Sequence, residues 1–258
     1  MDVRFPAGTF APAPGAGSKA RMLVTHAGTE IKLTLRNGEQ ILLTLLIPVA
    51  LLVGLTLIKI ISMPDPRVDQ VVPRVFALAV MSSAFTGQAI ALGFDRRYGV
   101  LKRLAATALP RWLLVAGRVA AGLAVVIIQL VVLGVVAAIL GWAPGLAGLL
   151  WTVLLAIVGA LAFGALGVLL GGTLKAEIVL ALANIIWFVL LLAGGIIVPA
   201  SSMPDGIARV VELLPSGALT EGMQQALNGA GPGVQPFLVL LVWGVAASVV
   251  AGRTTRLT

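Results

Sequence analysis

The chain has 258 residues, of which 59% are hydrophobic and 11% are charged, and its mean hydropathy is +1.08. A soluble domain carries about a quarter charged residues, so this composition excludes an ordinary soluble protein. The net charge is +8, but the basic residues stand at the ends of apolar runs, which argues against nucleic acid as a partner. The absence of cysteine and the single histidine, His26, exclude disulfides, thiolate chemistry and a histidine metal cluster.

The N-terminal region differs in composition from the rest of the chain. Residues 1–24 begin with a stretch rich in Pro, Ala and Gly and lack the apolar core of a signal peptide, so we predict a disordered tail. Residues 25–40 alternate apolar and polar side chains, as a strand would. Because an isolated strand beside a membrane leaves backbone groups unpaired, we expect an interfacial helix that leads into the first span. The membrane domain would comprise residues 25–258.

Six apolar stretches are long enough to cross a bilayer, which requires roughly 20 residues for about 30 Å of hydrocarbon. They predict an all-α integral membrane protein with spans at residues 41–61, 74–94, 112–140, 146–170, 178–198 and 234–252. Lys and Arg are concentrated in the connections on one side of this arrangement. The positive-inside rule makes that side cytoplasmic and places both termini inside.

Residues 94–111 form the longest charged interruption between apolar blocks. Five basic side chains occur there, and Leu101 and Leu104 recur at helical spacing, which predicts a short amphipathic helix. Gly99 can interrupt the chain before it, and Pro110 can end it. Two interpretations remain open: a surface helix that receives a partner, or an ordinary basic loop that obeys the positive-inside rule.

The connection between the fifth and sixth spans predicts two short amphipathic helices on the outer side. Pro204 suits the first turn of one helix and Pro215 ends it. Ser216 can cap the second, and Asn228-Gly229 can stop it. These helices either re-enter the outer leaflet with support from neighbouring protein or lie on the outer surface.

Motifs for catalysis are missing from the sequence. There is no G-x-x-x-x-G-K-[ST] phosphate loop, no G-x-S-x-G, no H-E-x-x-H and no carboxylate pair within a span. We therefore expect no catalytic residue, metal or cofactor on this chain. The neutral polar side chains Gln88, Gln129 and Asn184 lie within spans, and interhelical hydrogen bonds are favoured over substrate contacts for them. Gly164, Gly167 and Gly171 predict close helix packing.

The linker matches a known pattern, which runs as an acidic residue, a basic residue, a variable pair with Gly, and then T-L-K-R-L-x-x-T-P-L. The matching residues are Asp95, Arg96, Gly99, Leu101, Lys102, Arg103, Leu104, Thr107 and Leu109. Val100 replaces the Thr and Ala108 replaces the Pro. Together with the six-span plan and the double outer helix, this linker resembles the ATP-binding-cassette type-2 exporter permeases, including the daunorubicin-resistance type.

The resemblance implies a permease without its own nucleotide site, and therefore not an enzyme. Two copies of a separate ATPase would hold ATP and Mg²⁺, and a second permease chain, identical or different, would complete the transporter. In such permeases the linker is a coupling helix that contacts the ATPase. That role is implied for Asp95, Arg96, Arg97, Gly99, Leu101, Lys102, Arg103, Leu104 and Thr107. The segment with Glu30, Lys32 and Arg36 would be a connecting helix that also contacts the ATPase.

We therefore expect an exporter permease of the bacterial cytoplasmic (inner) membrane that moves a hydrophobic or amphipathic substrate, such as a lipid or lipophilic drug. Gln88, Gln129 and Asn184 are the candidate substrate path. One alternative is an ATP-independent channel or carrier, and another is a polysaccharide or glycolipid exporter permease. The polysaccharide alternative ranks lower because aromatic residues, which would stack on sugars, are only 5% of the chain.

Overall fold

The computed structural model describes residues 17–36, 38–58, 64–106, 110–197, 203–229 and 231–254, and every regular element within these ranges is helical. The elements are α1 (Lys19–Arg36), α2 (Gly38–Leu57), α3 (Arg67–Met81), a π-helical turn (Ser82–Gly87), α4 (Gln88–Arg97), α5 (Val100–Ala105), α6 (Arg111–Ile139), α7 (Leu146–Thr173), α8 (Ala176–Ala193), α9 (Asp205–Leu213), α10 (Pro215–Leu227) and α11 (Val234–Thr254). The predicted all-α class is confirmed.

Within the described residues, five helices have the length and apolar composition to cross a membrane. They are Arg67–Arg97, Trp112–Ile139, Leu146–Thr173, Ala176–Ala193 and Val234–Thr254. The span expected at residues 41–61 corresponds to α2, whose apolar part is the shorter helix Thr44–Leu57; residues 59–61 lie outside the described ranges. The first of the six predicted spans therefore stays a prediction, whereas the other five are matched by helices.

The N-terminal helix α1 begins at Lys19, inside the segment that was expected to be a tail; residues 1–16 lie outside the described ranges. Helix α1 packs along α6. A Cβ atom at Gly117 would collide with the ring of His26, so the two helices approach closely at this point. The helix predicted for residues 25–40 is thus present, whereas its location at the membrane interface remains a prediction.

The helix of the second span is longer than predicted, because it begins at Arg67 instead of residue 74. One buried arginine, Arg67, lies in its extra part, and a second, Arg74, lies at the predicted start. The Arg67 guanidinium donates hydrogen bonds to the carbonyl oxygens of Leu55 and Ile58, at 2.9 and 3.2 Å. Arg74 is only 3% exposed and its charge interacts with that of Glu221. Such partners offset the desolvation that buried charges otherwise suffer.

A π-helical turn interrupts this long helix at its centre, where polar side chains join neighbouring helices. The Ser83 hydroxyl donates to Gln129 Oε1 at 2.6 Å, and the Gln129 amide nitrogen donates to the Thr44 carbonyl at 3.2 Å. The Trp187 indole donates to Ser82 Oγ at 2.8 Å. The turn is thus connected to α2, α6 and α8 through Ser82 and Ser83, whereas the buried Thr86 hydroxyl has no hydrogen-bond partner within the described residues.

Helix α7 lies at the centre of the packing, against α3, α4, α10 and α11. Its glycines allow this proximity. A Cβ atom at Gly167 would lie 2.8 Å from the carbonyl oxygen of Phe85, and one at Gly171 would collide with the carbonyl oxygen of Ala89. The predicted close packing is confirmed at these two positions, but a Cβ at Gly164 would have an ordinary contact of 4.0 Å.

The two helices predicted before the last span are present, but they differ in burial. Pro215 is the first residue of α10 rather than a terminator of α9, which fits the preference of proline for the first helical turn. Most of α10 is buried among α3, α7 and α11. By contrast, α9 exposes Ile207 and Val210. The depth of both helices in the membrane remains a prediction.

The close approach of neighbouring helices at the glycines of α7 can be tested by substitution. Replacement of Gly171 by Ala forces a methyl group against the α4 backbone, and such overpacking costs about 1–3 kcal/mol. We expect a lower thermal unfolding midpoint for the purified protein in lipid nanodiscs. The matched control is Gly164→Ala on the same helix, which should be neutral or slightly stabilising because alanine favours a helix over glycine. Equal midpoints for the two variants would contradict the described packing.

Candidate functional site

The candidate site is the basic end of the bundle, defined by Arg96, Arg97, Lys102, Arg103 and Lys175. Helix α4 ends at Arg97, a turn follows, and α5 begins at Val100. Gly99 has φ of +69°, a left-handed conformation that only glycine adopts without strain. The predicted interruption and short helix are therefore present, and Thr107 lies outside the described residues.

Three consecutive residues predicted for the coupling helix lie instead at the end of α4, and each is bound to a different helix. Asp95 forms an ion pair with Arg118 of α6. Arg96 donates to the carbonyl oxygens of Gly171 and Leu174, at 2.9 and 3.1 Å, where α7 ends. Arg97 forms an ion pair with Glu177 of α8. Successive residues point about 100° apart around a helix, so one turn of α4 reaches three neighbours.

Helix α5 presents a cationic surface and keeps its apolar side inside. Leu101 is 6% exposed and Leu104 is half-buried, whereas Lys102 and Arg103 are exposed. The Arg103 guanidinium donates to the Tyr98 carbonyl at 3.3 Å. A partner that approaches this end would therefore meet the two charges before it met Leu101.

A groove of about 470 Å³ lies between α5 and the turn that joins α7 to α8. Lys102 lines one side, and Lys175 and Glu177 line the other. Arg96 and Arg97 also line it. Residues from the predicted linker and from a second connection thus meet at one open site, an arrangement that the sequence analysis did not anticipate.

The three residues predicted for the connecting helix differ in exposure. Lys32 and Arg36 are exposed on α1. Glu30 is partly buried, lies 4.0 Å from His26 Nε2, and shares the lining of a partly open cavity with Asp95 and Arg118. Of the three, only Glu30 is thus brought close to the end of α4.

The three candidate substrate-path residues also have different environments. Gln129 is buried in the hydrogen bonds of the π-helical turn, as the interhelical interpretation predicts. The Asn184 amide donates to the Leu180 carbonyl of its own helix at 2.7 Å. Gln88 alone lines two cavities. Sequence reasoning missed Arg118, although an arginine within an apolar span is itself a signal of function.

The contacts of Arg96 generate a prediction. We expect Arg96→Gln to loosen the joint between α4 and the α7–α8 turn, because it removes the two bonds to the carbonyl oxygens. Because the chain has no cysteine of its own, cysteines introduced by Lys102→Cys and Lys175→Cys are the only positions that a thiol-reactive spin label modifies. Double electron–electron resonance should then give a broader distance distribution across the groove.

The matched control for that experiment is Arg97→Gln. Arg97 and Glu177 are 51% and 61% exposed, and exposed ion pairs are worth about 0–1 kcal/mol, so this variant should leave the distribution almost unchanged. If Arg96→Gln had no greater effect than Arg97→Gln, Arg96 would not be the residue that fixes the joint.

The helical bundle, its apolar spans and its short charged connections define a multi-pass membrane protein. The sequence model of the ABC-2 type transporter family matches residues 23–228, which is most of the chain. The chain belongs to this family and is a transmembrane subunit of an ABC transporter, a class that works with ABC ATPase subunits. It is 26% identical over 218 residues to the Bacillus subtilis (strain 168) protein named "Putative transport permease YvfS", with 83% of this chain and 89% of that protein covered.

Proposed function

We propose that the chain is the permease subunit of an ATP-driven exporter for a hydrophobic or amphipathic substrate. It lies in the bacterial cytoplasmic membrane with both termini inside. It binds no nucleotide itself, pairs with a second permease chain and receives two ATPase subunits at the basic end. The family match supports a transporter subunit; export, substrate and stoichiometry belong to this proposal.

One observation carries the proposal: α5 is exposed and cationic, and the residues just before it are bound to three spans. Asp95, Arg96 and Arg97 connect α4 to α6, α7 and α8, respectively. A displacement of α5 by a partner is therefore transmitted through α4, most directly to α7, because Arg96 bonds the end of that helix. Because the sequence has no phosphate-binding loop, the energy for that displacement has to come from another chain.

The kind of substrate is inferred from the interior of the bundle. Its buried residues are mainly aliphatic, and its few buried polar side chains bond mainly to backbone carbonyls or, as Ser83 and Gln129 do, to each other. Such an interior suits a lipid-like molecule better than a sugar chain. An ATP-independent channel or carrier is the second candidate, and membership of a family that works with ATPase subunits disfavours it.

Charge reversal on the exposed side of α5 tests the proposal. We expect Lys102→Glu combined with Arg103→Glu to weaken binding of the ABC ATPase that co-purifies with the tagged chain. A loss of about tenfold or more in affinity is expected when two charges of an interface are reversed. Pull-down from the cell membrane and substrate efflux from vesicles measure the two consequences.

The control is Arg209→Glu, an exposed arginine on α9 at the other end of the bundle, which should leave ATPase binding and efflux unchanged. Leu101→Asp is unsuitable as a test, because a carboxylate at this buried position would itself destabilise the protein. Full ATPase binding by the doubly reversed variant would refute docking at α5. Vanadate-insensitive efflux would favour the ATP-independent alternative.

A further inference from the structure

Two cavities that differ in polarity lie on either side of one contact between α4 and α6. Gln88, Arg118 and Gly122 belong to the lining of both. The cavities are thus adjacent. An apolar site beside a polar site is complementary to an amphipathic ligand, which has an apolar chain and a polar head group.

The apolar cavity lies toward α7 and has a volume of about 60 Å³. Leu92, Leu114 and Leu123 contribute to its wall. It extends to Val115 and Leu161, which are 38% and 46% exposed at the outside of the bundle. The cavity holds only a few methylene groups, so a longer alkyl chain would leave between α6 and α7 into the surrounding lipid.

The polar cavity lies toward α1 and is larger, about 270 Å³. Its charged lining consists of Glu30, Asp95 and Arg118, and Thr34 and Thr44 add polar atoms. Asp95 and Arg118 neutralise each other in their ion pair. The remaining carboxylate of Glu30 gives the cavity an excess of negative charge, which favours a cationic group.

Gln88 links the two cavities, and its surroundings support binding of a ligand. Among the residues that the structure describes, its side-chain amide has no hydrogen-bond partner, although Gln88 lies within a span. Gly122 provides the space for it, because a Cβ atom there would lie 2.8 Å from Gln88 Nε2. Gln88 is partly buried and lines both cavities, so a polar group of a ligand there can form a hydrogen bond with its amide.

We propose that this pair of cavities binds an amphiphile with an amine-bearing head group. The ammonium group lies in the polar cavity near Glu30, Gln88 bonds the adjacent polar atoms, and the alkyl chain starts in the apolar cavity and leaves past Leu161. The inference deepens the proposed export function by naming the chemistry of the substrate and a binding site within a single chain. Binding is measured separately from ATPase coupling, so either proposal can fail alone.

Photolabelling tests this site on the full-length chain in lipid nanodiscs. The probe is a diazirine-bearing dodecylamine, and the comparison probe is a dodecanol with the diazirine at the same carbon. We expect the amine probe to label α4, α6 and α7 around the apolar cavity. Unlabelled dodecylamine should compete for this labelling more effectively than dodecanol. Mass spectrometry of the labelled peptides locates the adduct.

The first variant tests the contact between the two cavities. Gly122→Leu fills the contact between the cavities and should reduce labelling about tenfold, the loss expected when a well-formed pocket is blocked. Its matched control is Gly134→Leu on the same helix, where an added Cβ meets no atom within 4 Å, and labelling should persist. Both variants are compared by thermal unfolding, so that a misfolded protein is recognised.

The charge preference is tested with Glu30→Gln, which should reduce labelling by the amine probe about fivefold while the alcohol probe is unaffected. Glu212→Gln at the other end of the bundle is its control. The proposal is overturned if the amine and alcohol probes label equally. Labelling that persists in a folded Gly122→Leu variant, or that maps outside α4, α6 and α7, would also overturn it.

Discussion

The hydrogen bonds of Arg96 to the end of α7 are the interaction on which the basic end depends. The last carbonyl groups of a helix have no partner within that helix, and Arg96 supplies a donor to Gly171 and Leu174. The negative end of the helix dipole also favours a cation there. Because Arg96 belongs to α4, one side chain completes α7 and fixes α4 to it. Helix α5 begins only four residues later, so its position follows from this joint.

Two of the helices that contact α4, namely α6 and α7, are packed against it in contrasting ways. Toward α7, glycines bring the backbones together, and an added Cβ at Gly167 or Gly171 would meet a carbonyl oxygen. Toward α6, the Asp95–Arg118 ion pair lies beside two cavities. Close packing transmits displacement, whereas cavities allow it. A force on α5 should therefore move α4 and α7 together relative to α6 and change the space between them.

Much of the fold could be predicted because it depends on local properties of the sequence. Helix α7 begins at the predicted residue, 146, and α6 begins within one residue of the predicted start, since apolar length and preceding Pro or Gly define these positions. The start of the second span could not be predicted in this way. Arg67 and Arg74 suggest a loop when hydropathy is considered alone, and their partners on other helices, the Leu55 carbonyl of α2 and the Glu221 carboxylate of α10, help to accommodate them.

In the candidate site, too, the local helix could be predicted from the sequence, whereas the contacts between distant residues could not. The spacing of Leu101 and Leu104, with Gly99 before them, predicted a short amphipathic helix at α5. An amphipathic pattern tells which side of a helix is apolar, but it does not tell what covers that side. Here the bundle itself buries Leu101, and the charges remain for a partner. Similarly, Asp95, Arg96 and Arg97 look like one basic docking segment in the sequence. Their partners lie 23 to 80 residues away, and those distant contacts make the segment an anchor for α5.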